Sequence, residues 1–236
     1  MSMIDLISAV NLLKTFNTCI NVIDVGACGG SFRDRNINLF GDNSYLIGIE
    51  PNPHLPKKTE YDQFLNIAIH NVDETTSMKF NIHRDYGCSS LSRMKNEILT
   101  NNVAEKNKWW CNVDIQSISD VKEVEVKSLK ILLDEYPKFK NELIHLVKID
   151  AQGVDIHVAK SLREYLDKTV FIILECVTSI DANVVLYDNQ TIMTEDINTM
   201  NHLGFSVYKT LDYTSSGTPE ADVLFINNKW KNLCQE

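Results

Sequence analysis

The sequence is short of positive charge and has no run of it. Its 23 Lys and Arg stand against 32 Asp and Glu, giving a formal net charge of −9 and a pI near 5.2. Phosphate backbones are bound by clustered cations, so no nucleic-acid partner is expected. No stretch approaches the ~18 apolar residues of a membrane span. The N-terminus lacks the basic-then-apolar layout of a signal peptide. None of the six cysteines (Cys19, Cys28, Cys88, Cys111, Cys176, Cys234) forms a C-x-x-C pair, so zinc-site spacing is missing. Several lie inside apolar runs, where a thiol behaves as a small hydrophobe, a usage that suits a reducing, cytoplasmic compartment. There is no internal repeat and no low-complexity tract. At 236 residues and 44% hydrophobic content, the chain is expected to form a single domain over 1–236 with a substantial core.

What is present is alternation of strand-like and helix-like segments. Residues 3–15 place Leu6, Val10 and Leu13 at helical spacing, an amphipathic helix within an N-terminal segment 1–18. "NVIDVG" reads as a short buried strand, "NSYLIGIEPNP" as a second strand ending on an acid, and "QFLNIAIHN" (63–71) as a third. "SMKFNIHR" and "VKEVEVKSL" alternate like half-exposed strands. Between them, 85–120 is irregular, with a helix suggested near 92–106 and the pair Trp109–Trp110. "LIHLVKID" and "TVFIILEC" are near-continuous apolar runs, as strands covered on both faces must be. A helix over 191–203 stops at Gly204, and "FSVYK" and "ADVLFIN" suggest a closing antiparallel pair. Such alternation argues for an α/β fold with a mostly parallel sheet.

The stretch "NVIDVGACGGSFRDR" ends a strand and turns through three glycines in five positions. In open α/β sheets ligands sit beyond the carboxyl ends of the strands, where strand order reverses. A glycine there lets backbone approach a ligand without a Cβ in the way. A dinucleotide site needs G-x-G-x-x-G, but counting from Gly26 the second and third glycine places hold Cys28 and Ser31. The spacing instead suits the first motif of S-adenosylmethionine-dependent methyltransferases. Glu50, 24 residues beyond Gly26, stands where an acid binds ribose hydroxyls in either class. Asp24 is placed to brace the loop.

Taken together, the motifs resemble the FkbM family of methyltransferases over about residues 20–227. "VIDVGACGG" resembles its first motif, "GIEPNP" its acid-Pro-Asn-Pro stretch and "LNIAIHN" its third strand. "GCSSLSR" resembles a serine-rich segment, "LVKIDAQGVDIHVAKSL" its K-I-D-V-E-G block, and "FIILE" and "DVLFIN" its later strands. Gln152 stands where the family usually carries Glu, and Lys130 where it usually carries Asp.

The resemblance implies a Rossmann-like class I methyltransferase fold. It has a seven-stranded, mostly parallel sheet with helices on both faces, one antiparallel strand near an edge, and an inserted segment after the third strand. It implies S-adenosylmethionine as cofactor and O-methylation of a sugar or nucleotide-linked sugar. The cofactor-binding set it suggests is Asp24, Gly26, Ala27, Gly29, Glu50, Asn52, Ala68, Ser89, Ser90 and Asp150. Arg33, Arg35, Arg84 and Arg93 are available to a charged acceptor.

An alcohol acceptor needs help to lose its proton. Asp150 ends a buried strand and is the leading base, with bracing of the following turn as its alternative role. Glu175 ends a neighbouring strand, and the two carboxylates are candidate ligands for a divalent cation such as magnesium, or divide into a base and a cofactor contact. His157, one turn into the next helix, is a third catalytic candidate, against a surface role. Lys148 shares a strand face with Asp150 and either orients it or forms a buried salt bridge. The insert 85–120 is long for a connection and reads as a lid or acceptor wall. Three functions stay open at this point: the methyltransferase, a nicotinamide-dependent oxidoreductase, and a catalytically silent cofactor-binding module. Homo-oligomerisation stays open as well.

Overall fold

A computed structural model describes residues 13, 19–28, 40–55, 61–95, 118–178, 185–212 and 220–234. Several expectations fall outside these residues: Gly29, most of the N-terminal helix, the helix near 92–106 beyond residue 95, Trp109, Trp110 and the bulk of the 85–120 insert.

The apolar runs become the centre of the main sheet. Ile20–Val25 (β1) is buried at all six positions. It pairs in parallel with Ser44–Ile49 (β2) on one side and Ile144–Ile149 (β7) on the other. Gln63–Leu65 (β3) extends the sheet beyond β2, and Thr169–Val177 (β8) lies beyond β7, both in parallel. Glu220–Asn227 (β10) runs antiparallel to β8 and to the edge strand Phe205–Asp212 (β9). The order is β3-β2-β1-β7-β8-β10-β9: seven strands, one of them reversed beside an edge. This is the class I methyltransferase arrangement. Successive residues of a strand face opposite ways, and two apolar cores follow. Ile23, Val25, Ile47 and Val147 fill one, while Val22, Leu46, Leu146 and Phe171 fill the other. Leu13 is buried in the second.

The third strand differs from expectation. The segment 63–71 is two strands in two sheets: β3 stays in the main sheet, while Ala68–Ile69 (β4) joins a smaller one. There it pairs with Ile118–Lys127 (β6), which pairs antiparallel with Thr76–His83 (β5). The chain leaves the main sheet at Asn66, whose Nδ2 donates to the Glu50 carbonyl at 3.1 Å in place of a ladder bond. Alternate residues Phe80, Ile82, Val124 and Val126 bury the inner face of this second sheet.

Short helices follow the strands. Leu129–Asp134 (α1) starts at Ser128, whose Oγ accepts the Ile131 N–H at 3.2 Å. Asp155–Lys160 (α2) follows β7, and Met193–His202 (α3) ends before Gly204 at φ 89°. Among the described residues no helix is long and apolar enough to cross a membrane. Strand β1 lies between β2 and β7, so the order reverses there, and the carboxyl ends of β1, β2 and β7 meet at one crevice.

Candidate active site

The turn after β1 is built from backbone outward. Gly26 sits at φ +75°, and both its N–H and that of Ala27 donate to Ile49 O at 3.0 Å. The Cβ of any other residue at 26 would come 1.7 Å from Asp150 O. The glycine is therefore required by the protein's own backbone before any ligand is considered. At the next strand end Glu50 is buried. Its Oε2 accepts the Cys28 N–H at 3.0 Å and its Oε1 the Asn52 N–H at 2.8 Å. Burial pushes its pKa up to about 7 against the pull of those N–H groups and Lys148. A carboxylate oxygen has two lone pairs, so each keeps one for a ligand.

Glu50 and Gly26 line a partly open cleft with about 80 Å³ of room for water-sized molecules. Its walls are mostly apolar, including Ile49, Ile67, Ala68 and Phe80, and its polar groups come from Glu50, Ser89, Asp150 and Gln152. Burial also pushes the lining Cys28 thiol up to about 11, so this cysteine is a neutral wall residue and no nucleophile.

On the β7 side, Lys148 Nζ sits 3.2 Å from Asp150 Oδ2, 3.4 Å from Asp24 Oδ1 and 3.0 Å from Gly26 O. Burial works against this ammonium, but Asp150 and then Asp24 outweigh it and hold its pKa above the ordinary range. The two acids are not equivalent. The Asp24 side chain is 1% exposed and the Asp150 side chain 27%, so a substrate can touch Asp150 and not Asp24. Tyr61 closes the back of the network, its hydroxyl donating to Asp24 Oδ2 at 2.5 Å.

The turn after Asp150 is braced by another acid. Asp155 Oδ1 accepts the Ala151 N–H at 2.9 Å and its Oδ2 the Gly153 N–H at 3.1 Å. Turn bracing thus falls to Asp155, and Asp150 is left to side chains. Gln152, at φ 52°, turns its amide between the acids, with Nε2 2.8 Å from Asp150 Oδ1 and 2.9 Å from Glu175 Oε2. Burial, then Asp150, Glu220, Asp155 and Asp222, drive the Glu175 pKa well above the usual carboxylate range.

Of the other sequence candidates, Ala68 and Ser89 line the cleft, and Ser89 Oγ accepts the His83 N–H at 3.2 Å. Four residues expected at the cofactor stand behind the lining instead. Asp24 is sealed under Lys148, and Ala27 packs in the second core. Asn52 is buried; its N–H donates to Glu50 and its Oδ1 accepts the His54 N–H. Ser90 Oγ donates to Gln152 O at 2.6 Å. His157 is not beside Asp150 in the lining. It stacks on His70 (ring centroids 4.9 Å apart) in a second pocket behind Leu91 and Val154.

The seat expected for a divalent cation does not fit one. The gap between Asp150 and Glu175 is filled by the Gln152 amide, and among the described residues no three His, Cys, Asp or Glu are grouped to hold an ion. Reading the sequence also misses Tyr61 and Tyr187. The Tyr187 hydroxyl lies 2.8 Å from Cys88 O and 3.1 Å from Gln152 Oε1. Neither tyrosine sits in a motif. The local signals are two glycines: a Cβ at Gly48 would come 2.9 Å from the Tyr61 ring, and one at Gly153 2.6 Å from the Tyr187 side chain.

The sequence profile described as the methyltransferase FkbM domain matches residues 24–207. No curated protein matches significantly. Among solved structures, the chain is similar to the O-methyltransferase TomG from Streptomyces achromogenes, which is involved in tomaymycin synthesis and was solved with SAM. That match has a TM-score of 0.43 and 9% identity, and covers 96% of this chain and 81% of the other. It is also similar to the Burkholderia thailandensis 1,6-didemethyltoxoflavin-N1-methyltransferase, at TM-score 0.43 and 7% identity, over 93% of this chain and 76% of that one.

Proposed function

The chain belongs to the FkbM methyltransferase family, and we propose that it transfers a methyl group from S-adenosylmethionine to a hydroxyl oxygen of a sugar or nucleotide-linked sugar, acting as a single domain. The observation that carries this reading is the pairing of Glu50 and Asp150 on one mostly apolar cleft. One acid is held rigidly by backbone N–H groups. The other is partly exposed and held by a lysine and an amide. When bound, the cofactor supplies a methyl group already activated on a sulfonium sulfur, so the protein has to align the acceptor and take its proton.

Glu50 uses its remaining lone pairs for the ribose hydroxyls. The walls at Ile49, Ala68 and Phe80 suit the uncharged adenosyl body. Asp150 would take the proton of the acceptor hydroxyl as that oxygen receives the methyl group. Lys148 holds Asp150 in place and Gln152 fixes its second oxygen. This arrangement favours methyl transfer over hydride transfer, since the turn after Gly26 lacks the glycines a pyrophosphate requires.

A panel of nucleotide-linked and free sugars tests the reading with methyl-labelled cofactor. Label should pass to at least one sugar, and Asp150→Ala should abolish transfer while keeping cofactor affinity. A protein that binds the cofactor and labels no sugar would favour the silent module or a different acceptor.

A further inference from the structure

The gap between the Asp150 and Glu175 carboxylates is where a cation would sit, and a neutral side chain already occupies it. Each hydrogen of the Gln152 amide goes to one acid, at 2.8 and 2.9 Å. The amide oxygen stands 3.1 Å from the Tyr187 hydroxyl, which shares its single hydrogen with Cys88 O at 2.8 Å. Its backbone is equally constrained. The φ of 52° is uncommon for a residue with a Cβ, and Ser90 Oγ donates to its carbonyl at 2.6 Å. The next residue, Gly153, is at φ +89°, and its missing Cβ leaves the space that Tyr187 fills. Residues from three separate stretches of chain thus aim one amide at two acids.

We propose that Gln152 is a positioning residue that takes the place of a divalent ion between Asp150 and Glu175, so that the reaction proceeds without a metal. The proposal rests on the reading of Asp150 as the base. A bridging ion would fix the two carboxylates and also withdraw electrons from an acceptor oxygen bound to it, easing loss of the proton. An amide fixes the carboxylates and does only that. The proton must therefore be taken by a carboxylate that no metal has neutralised. Asp150 retains that capacity because its bridge is a hydrogen-bond donor and not a coordinating ion.

Replacing Gln152 by Glu changes one NH2 to oxygen at nearly constant shape and offers the pair a third hard ligand. The full chain and Gln152→Glu, both stripped with EDTA, are titrated with Mn2+ by calorimetry and melted with and without EDTA. The wild type is expected to show no saturable Mn2+ binding and no EDTA effect on Tm. Gln152→Glu is expected to bind Mn2+ at least about tenfold more tightly, the scale on which ligand-shell changes act. Its weakened methyl transfer should rise on adding Mn2+ while that of the wild type does not change. Tight Mn2+ binding by the wild type that Asp150→Asn removes would overturn the proposal. So would a Gln152→Glu protein that binds Mn2+ no better than wild type. Should Gln152→Glu fail to fold, the wild-type titration decides alone. Binding of S-adenosylhomocysteine, measured in parallel, judges the cofactor reading separately, because the Mn2+ result does not depend on it.

Discussion

Gly26 and Asp150 are in backbone contact: a Cβ on the first would lie 1.7 Å from the carbonyl oxygen of the second. The turn proposed to receive the cofactor and the strand end proposed to carry the base are thus one packed unit. Lys148 reinforces it by holding Gly26 O and the Asp150 carboxylate together.

Gly26→Ala should therefore abolish folding and not merely weaken binding. It combines a left-handed φ with a clash against backbone, which cannot rotate away. Strain and overpacking together cost upwards of about 3 kcal/mol. Thermal denaturation should show a fall of many degrees or no cooperative transition.

Glu50→Ala should weaken S-adenosylhomocysteine affinity about 10–100-fold, the loss of charge-assisted hydrogen bonds to ribose. The same change strands the Cys28 and Asn52 N–H groups, so a lower Tm is expected even without ligand. Ligand-induced Tm shifts read out both effects: the bound-minus-free shift should shrink by more than the baseline falls.

Asp150→Asn should lower kcat by about 10²–10⁴ with cofactor affinity changed only a few-fold. Lys148→Met should behave differently. It leaves the Asp24 carboxylate buried without its cation, a loss on the order of 3–5 kcal/mol, so that variant should be poorly stable before any kinetic comparison. Steady-state kinetics on the first and denaturant melts on the second separate the roles.

Glu220 gives a pH test. Burial, then Asp150, Asp222 and Asp155, push its pKa up to about 7 from an ordinary value of 4.5. The folded state then holds this proton longer than the unfolded state, so stability falls as pH rises from about 4.5 to about 7. Glu220→Gln removes that dependence. Its Tm should match wild type near pH 4.5 and exceed it above pH 7 by roughly 2–4 °C, for an effect of about 1 kcal/mol after solvent screening. Melts at the two pH values decide, and equal differences at both would contradict this account.

Much of this architecture is legible in the sequence because its signals are local. The buried runs 144–149 and 169–177 are continuous enough to specify central parallel strands. Gly26 and Glu50 sit at strand ends that their own segments define. The split of 63–71 is not local: where the chain leaves the sheet, the Asn66 side chain donates to Glu50 O, sixteen positions away. The part played by Gln152 depends on Glu175 and Tyr187, 23 and 35 residues downstream. Its presence in place of an acid is visible in the sequence, but the bridge it forms is not. His157 falls on an amphipathic turn near Asp150, and nothing in its spacing reveals that it stacks on His70 instead.

The central claim is that the cleft floored by Glu50 takes an adenosyl sulfonium, the turn from Gly26 carrying Cys28 and Ser31 where a pyrophosphate site needs glycines. Calorimetric titration of the full chain with S-adenosylhomocysteine and, separately, with NAD tests it most directly. Saturable binding of the first at micromolar concentrations with no heat from the second is the predicted result. Saturable NAD binding, with S-adenosylhomocysteine inert, would contradict it.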